Sequence, residues 1–219
     1  MKTTIDNILE GILAFQKHEV NSRDGYYKEL ANGQSPSAMM ITCSDSRIDP
    51  NLITQTDLGE LFVLRNAGNI VPAHSQESGG EAGTIEYAIQ ALGVEHIIIC
   101  GHSHCGAMKG LLNPESLATL PATASWIKNA EATRSVVEHK CGHLDDNEKV
   151  LEAAKENVLV QLNNLRTLPA VSAKLATGQL QVHGWVYEIE TGEMLCYDEQ
   201  EKSFSPLVDK LHPVEKLAV

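Results

Sequence analysis

The chain has 219 residues, 42% of them hydrophobic, with 17 Lys and Arg against 29 Asp and Glu and a formal net charge of −12. These fractions are ordinary for a globular protein that buries a core, and they exclude a disordered chain, a collagen and a coiled-coil rod. The acidic balance argues against nucleic-acid binding, because most of such a surface would repel a phosphate backbone.

The N-terminal residues 1–7 contain no continuous apolar stretch and no small-residue cleavage site, so no secretory signal is expected. Elsewhere the longest apolar runs have about half a dozen residues, against the roughly 20 needed to cross a bilayer. Five cysteines, an odd number without a signal, fit reduced thiols or metal ligands better than disulfides. The sequence therefore predicts a cytoplasmic protein that does not span a membrane.

The first predicted element is a helix capped by Thr3 or Thr4. It carries an apolar face formed by Ile5, Ile8, Leu9, Ile12 and Phe15. Such a face belongs either to the core or to a contact with a partner subunit, and the pattern fits both. Three runs that are apolar on both faces follow, at residues 38–42, 61–64 and 96–100. Runs of this kind are typical of strands buried between helical layers in a parallel sheet.

An amphipathic helix that stops at Gly93 separates the second and third runs, and the resulting strand–helix–strand unit should have a right-handed crossover. A longer helix is predicted after Asp145, followed by a strand at residues 180–189 and an antiparallel edge strand at 194–197. The fold class is therefore α/β, a single domain with a central, mostly parallel sheet flanked by helices. We expect a helical arm at about residues 1–32, a core at about 33–207 and a tail at about 208–219.

Two polar segments come directly after predicted buried strands. Residues 43–47 read Cys-Ser-Asp-Ser-Arg, and residues 101–106 read Gly-His-Ser-His-Cys-Gly. Because ligands bind at the carboxyl ends of strands in open α/β sheets, we expect these segments to meet at one edge. Two thiolates and one imidazole are a ligand set that zinc takes when a fourth position stays open. On spacing alone, buried or reactive thiols with unrelated histidines stay an alternative.

These two segments resemble motifs of the β-class carbonic anhydrases. The resemblance continues through residues 65–69 (Arg-Asn-Ala-Gly-Asn), 85–88 (Ile-Glu-Tyr-Ala) and 183–187 (His-Gly-Trp-Val-Tyr), and it covers roughly residues 5–207. It implies the β-carbonic anhydrase fold, with one zinc ion per chain held by Cys43, His102 and Cys105. It also implies reversible hydration of carbon dioxide to bicarbonate and a proton, through attack by zinc-bound hydroxide.

The resemblance also implies roles for residues around the metal. Asp45 orients the hydroxide, and Arg47 holds the Asp45 carboxylate with its planar fork. The remaining expected site residues bind the substrate. Two supply hydrogen-bond donors, the Gln34 side chain and the Gly106 backbone N–H, and three wall a small apolar pocket, namely Phe62, Ala67 and Tyr87.

Few positions depart from the family pattern, and the one at Met40 bears on the branch of the family. Met40 stands where one branch has a tryptophan that helps to form an inhibitory bicarbonate pocket, and the usual partners of that tryptophan are matched by Arg65 and Tyr87. Without the tryptophan, the chain looks more similar to the plant-like, non-allosteric branch. The resemblance further implies self-association as a homodimer, or as a tetramer or octamer built from dimers, because each pocket borrows side chains from a neighbouring subunit.

Other metal-binding or titratable residues are expected to have plainer roles. His104 should point away from the metal as a capping or surface group, with a proton shuttle as the alternative, and Cys100 should be a buried structural thiol. His139, Cys141 and His143 should belong to a solvated connection rather than to a second metal cluster.

Two other functions stay open at this point. The first is a hydrolase of carbonyl sulfide or carbon disulfide on the same fold with a narrowed pocket. The second is a zinc-stabilised assembly protein without catalytic activity, although a structural zinc site would more naturally take a fourth protein ligand.

Overall fold

The protein is described by a computed structural model that covers residues 3–75 and 79–211. The chain forms two compact units, Met1–Ser35 and Pro36–Val219. The expected division into arm, core and tail stays a prediction, and residues 212–219 of the expected tail lie outside the described residues.

The first unit is helical. It contains α1 (Thr4–Ala14), a π-helical turn (Phe15–Glu19), α2 (Val20–Ser22) and α3 (Tyr26–Leu30). Thr3 caps α1 as predicted: its hydroxyl accepts from the Asp6 N–H at 3.3 Å, while the Asp6 carboxylate accepts from the Thr3 N–H at 2.7 Å. The apolar face of α1 is exposed along its length rather than buried.

The second unit contains one six-stranded sheet in the order β2-β1-β3-β4-β5-β6. The strands are β1 (Ala38–Cys43), β2 (Leu61–Asn66), β3 (His96–His102), β4 (Gln181–Tyr187), β5 (Met194–Asp198) and β6 (Ser203–Pro206). The first four strands pair in parallel, and β5 and β6 are antiparallel to their neighbours. This confirms the predicted fold class.

The strand predicted at residues 194–197 is present as β5 and is antiparallel to β4. The prediction that it lies at the edge of the sheet is wrong. β6 lies outside β5, with Cys196 opposite Ser205 and Tyr197 opposite Phe204. β6 has only four residues and a Ser-Phe-Ser-Pro sequence, so it has no apolar alternation long enough to predict a strand. Proline suits this outer position, because an edge strand can lack one ladder hydrogen bond.

Eight α-helices among the described residues of the second unit precede, connect or follow the strands in the chain. They are α4 (Pro50–Thr54), α5 (Gly80–Gln90), α6 (Gly106–Leu112), α7 (Pro121–Ile127), α8 (Glu131–Lys140), α9 (Asp146–Arg166), α10 (Pro169–Ala176) and α11 (Leu207–Leu211). Asp145 begins α9 with a capping box that includes Glu148. None of the helices within residues 3–75 and 79–211 is both long enough and apolar enough to cross a membrane.

The main core lies between one face of the sheet and the helices α5, α9 and α10. Met39, Ile41, Ile97 and Ile99 of the central strands are fully buried there, together with residues of all three helices. Because side chains alternate along a strand, Met40, Ile98 and Cys100 lie on the opposite face, against Trp185, Tyr187 and Met194. The helix predicted after Asp145 is present as α9, and it buries an apolar stripe that includes Ala154, Val158, Leu162 and Leu165.

The close packing of α9 on β4 makes Gly184 a sensitive position. A Cβ atom there would lie 2.8 Å from Val158 Cγ1 and 3.0 Å from Leu162 Cδ1. Gly184→Ala is therefore expected to lower the free energy of unfolding by about 1–3 kcal/mol through overpacking. Gly83→Ala on α5 is the control, because a Cβ atom built there would have no neighbouring atom within 4 Å. This variant should raise the free energy of unfolding by about 0.5–1 kcal/mol. Urea unfolding of both variants checks the prediction, and equal stability would contradict it.

Candidate metal centre

The pairing of β1 with β3 brings the two predicted polar segments together. The strands are adjacent and parallel, with Thr42 opposite Cys100, so their carboxyl ends lie at the same edge of the sheet. β1 ends at Cys43, β3 ends at His102, and Cys105 is the residue before the first turn of α6. The expected meeting of a Cys segment with a His-x-x-Cys segment is thus present in the structure.

Cys43, His102 and Cys105 are all buried, and their ligand atoms lie within 4.8 Å of one another. The two sulfurs are 4.0 Å apart. His102 Nδ1 donates to the Ser103 carbonyl at 2.8 Å, which leaves Nε2 to act as an acceptor or a ligand. Nε2 is buried and has no hydrogen-bond partner among the described residues. A buried orphan nitrogen beside two thiols fits a zinc ion held by two sulfurs and one imidazole.

The two thiol sulfurs lie within hydrogen-bonding distance of each other. A hydrogen bond from Cys105 lowers the pKa of Cys43 to about 4, and the same contact together with burial raises the pKa of Cys105. The Gly68 N–H also points to the Cys43 sulfur, at 3.4 Å. One thiolate therefore forms readily at this position, and a bound cation would take the place of the remaining proton.

Asp45 and Arg47 form a bidentate pair next to the three candidate ligands. Arg47 Nε donates to Asp45 Oδ1 at 2.9 Å, and Arg47 Nη2 donates to Oδ2 at 2.8 Å. These hydrogen bonds hold the pKa of Asp45 far below its usual range, so the group is a carboxylate. Asp45 Oδ2 lies 3.9 Å from His102 Nε2, so the carboxylate is next to one of the three candidate ligands.

Arg65 supports the end of β1, a role that the sequence did not indicate. Its Nε donates to the Cys43 carbonyl at 2.9 Å, and its Nη2 donates to the Asp45 carbonyl at 2.8 Å. The guanidinium thus fixes the backbone of both a candidate ligand and the carboxylate beside it. The match of Arg65 to the arginine of the inhibitory bicarbonate pocket found in one branch of the family stays a prediction.

A row of buried amides on α9 supports the loop that follows β2. Asn157 Nδ2 donates to the Gly68 carbonyl at 2.8 Å, and Gln161 Oε1 accepts from the Val71 N–H at 2.9 Å. Asn157 and Gln161 are fully buried and bonded to each other at 2.8 Å. In the sequence, Asn157 and Gln161 are two polar residues spaced four apart within an apolar stripe. They were not identified from the sequence.

The expected pocket residues are spread over several elements. Phe62 on β2 and Tyr87 on α5 are in ring contact, with centroids 6.2 Å apart, and Tyr87 is exposed. Ala67 and Gly106 are exposed in the single chain, and the Ala67 carbonyl accepts from Trp126 Nε1 at 2.9 Å. Gln34 is an exposed residue of the first unit. Their roles toward a substrate stay predictions.

The expected grouping of Tyr87 with Met40 is wrong. Met40 is fully buried in the cluster that includes Tyr187, whereas Tyr87 lies on α5, which packs on the other face of the sheet. Two-residue alternation along β1 sends Met40 away from α5. Cys100 lies in the same cluster as Met40, where burial raises the pKa of its thiol to about 12. That environment agrees with a structural thiol.

His104 and His139 contact groups other than the three candidate ligands. His104 turns its ring toward the carboxylate of Glu190, and His139 forms a hydrogen bond at 2.8 Å to the Ser135 carbonyl of its own helix. Within residues 3–75 and 79–211, Cys43, His102 and Cys105 are the only group of three metal-binding side chains.

Comparisons with known proteins agree with one another. A family model described as carbonic anhydrase matches residues 38–194. The chain is 48% identical over 195 residues to a carbonic anhydrase of Synechocystis sp., covering 89% of this chain and 71% of that protein. It superposes on the solved β-carbonic anhydrase CcaA with a TM-score of 0.90 and 46% identity, covering 93% of this chain and 100% of the other.

A more distant solved structure has the same fold. It is one of two tetrameric β-carbonic anhydrases of the filamentous ascomycete Sordaria macrospora, with a TM-score of 0.81 and 29% identity. The alignment covers 89% of this chain and 97% of that one.

Proposed function

The chain belongs to the β-class carbonic anhydrases, and from that membership we propose that Cys43, His102 and Cys105 hold one catalytic zinc ion per chain. The enzyme interconverts carbon dioxide and bicarbonate. The observation that carries the zinc proposal is the buried, unpartnered Nε2 of His102 beside two sulfurs 4.0 Å apart. When bound, zinc supplies the reaction with a nucleophile at neutral pH, because it lowers the pKa of a coordinated water.

Asp45 is proposed to orient the attacking water. Its carboxylate is ionised and lies 3.9 Å from His102 Nε2, so it would accept a hydrogen bond from the water and fix the direction of attack on the substrate carbon. Arg47 occupies both carboxylate oxygens, and this keeps Asp45 from turning toward the ligands.

The substrate side is proposed to combine donors and an apolar wall. The Gly106 N–H and the Gln34 side chain would donate to the oxygens on which negative charge develops, and this favours the transition state over the ground state. Phe62, Ala67 and Tyr87 would form the apolar wall that suits carbon dioxide.

Self-association is proposed to complete this pocket. Tyr87, Ala67 and Gly106 are exposed in the single chain, and a neighbouring subunit would exclude water from them. A homodimer, or a tetramer or octamer built from dimers, would serve this purpose, and the tetrameric relative from Sordaria macrospora supports it. The cytoplasmic location stays a prediction.

The two alternative functions are not favoured. The relatives and solved neighbours described above are carbonic anhydrases, with none named as a carbonyl sulfide or carbon disulfide hydrolase. The ionised Asp45 beside the candidate ligands, held by Arg47, argues against a site that only stabilises an assembly.

Metal analysis and rate measurements on the purified protein test the proposal. We expect one zinc per chain, fast carbon dioxide hydration by stopped flow, and much slower turnover of carbonyl sulfide in a parallel assay. One zinc per chain without hydration would overturn the catalytic proposal. Full hydration activity in a zinc-free preparation would overturn the assignment of the metal.

A further inference from the structure

The turn between the second and third candidate ligands has an unusual backbone conformation. Only Ser103 and His104 separate His102 from Cys105, and the chain must reverse within these two residues for both ligands to reach one ion. His104 adopts a left-handed conformation with φ +55°. A residue with a side chain persists in that region only where its surroundings hold it there.

Glu190, in the turn between β4 and β5, contacts both residues of this ligand turn. Its Oε2 accepts from the Ser103 hydroxyl at 2.9 Å, and its Oε1 accepts from His104 Nε2–H. The Ser103 hydroxyl in turn accepts from the Ile189 N–H at 2.9 Å. Ser103 is buried, whereas the side chains of His104 and Glu190 are partly exposed. One carboxylate therefore joins the two residues that separate the ligands.

The same turn is connected to the Asp45–Arg47 pair. Arg47 Nη2, which binds Asp45 Oδ2, also donates to the His104 carbonyl at 3.3 Å. A displacement of His104 would therefore move a hydrogen-bond partner of Arg47 as well as the two flanking ligands.

We propose that Glu190 is a positioning residue for the metal centre, which holds Ser103 and His104 so that His102 and Cys105 converge on one ion. The inference rests on the proposed function, in which these residues bind zinc. Without Glu190 the left-handed His104 can relax, and the two ligands lose their fixed geometry. Glu190 is more than half exposed, so its loss should loosen the centre rather than abolish metal binding.

Metal release and cobalt spectra of Glu190→Ala test this role. We expect zinc to transfer from this variant to an excess of chelator about tenfold faster than from the wild type. Removing a hydrogen-bond partner of a metal ligand typically weakens metal binding by about 10–100-fold, and tenfold is the low end of that range. The cobalt-substituted variant should show shifted d–d and thiolate charge-transfer bands. Glu190→Gln should recover part of both properties, because its amide can still accept from Ser103.

Glu193→Ala is the matched control. Glu193 lies in the same turn, carries the same charge, and has an exposed side chain without a hydrogen bond or ion pair among the described residues. Its zinc release and cobalt spectrum should match the wild type. Equal release and identical spectra for Glu190→Ala and Glu193→Ala would overturn the proposal.

Two further outcomes separate this proposal from the proposed function. A wild-type protein that binds no zinc would contradict the metal assignment itself, before any variant is compared. If circular dichroism shows that Glu190→Ala does not fold, Ser103→Ala takes its place, since it removes the contact with Glu190 Oε2. Zinc release from Ser103→Ala at the rate of Glu193→Ala would then overturn the proposal.

Discussion

Replacement of Cys43 with alanine is expected to leave the protein without zinc and without measurable hydration of carbon dioxide. The remaining pair, His102 and Cys105, cannot hold the ion with the three-ligand geometry of a catalytic site. The loss should exceed the roughly 10–100-fold effect of changing a residue that only supports a ligand. Zinc per chain and the stopped-flow hydration rate, measured on the same preparation, check this result.

Cys100→Ala is the control for the loss of a thiol. Cys100 is also buried and lies on the strand next to β1, but its side chain is in the cluster of Met40 on the far face of the sheet. This variant should keep one zinc per chain and most of the hydration rate, with some loss of stability. Retention of zinc and full activity by Cys43→Ala would contradict the proposed ligand set.

Replacement of Arg47 with alanine is expected to lower hydration by about 100-fold while zinc stays bound, at the upper end for residues around a metal centre. Both Asp45 oxygens would lose their guanidinium donors, at 2.8 and 2.9 Å. The freed carboxylate starts 3.9 Å from His102 Nε2 and can turn toward the metal position. It would then block the open coordination position instead of orienting the nucleophile.

Arg134→Ala is the matched control for this variant. Arg134 also binds carboxylates, those of Glu131 and Glu138, but on the surface of α8. Its removal should leave both zinc content and the hydration rate unchanged. The hydration rate of Arg47→Lys should lie between those of Arg47→Ala and Arg134→Ala, because an ammonium keeps the charge but lacks the planar fork. Undiminished activity in Arg47→Ala, or loss of its zinc, would contradict the assigned role.

The sequence was informative about this site wherever the signal is local. A buried strand shows as a continuous apolar run, and the residues just beyond its end are known once the run is found. That reasoning placed Cys43 and His102 at one sheet edge, and the pairing of β1 with β3 confirms it. A cap at Thr3 or Thr4 and a helix after Asp145 were predicted for the same reason, since the residues that signal a helix start lie next to one another in the sequence.

The features that were missed depend on contacts between distant segments. Glu190 meets His104 across 86 residues, and Asn157 meets Gly68 across 89. No spacing along the chain indicates either contact. The error on Tyr87 has a similar origin, because it required knowing which face of the sheet α5 covers. Similarly, β6 gains its strand conformation by pairing with β5 rather than from its own four residues.

The separation of the metal ligands along the chain has a consequence for folding. Cys43 and Cys105 are 62 residues apart and meet only after β1 has paired with β3. Of the three proposed ligands, only His102 and Cys105 are close together along the sequence, so an unfolded chain cannot offer the complete set at short range. Zinc should therefore bind the native topology more tightly than the denatured ensemble. Metal supply during biosynthesis would then determine how much of the newly made protein persists in its native state, as well as how much of it is active.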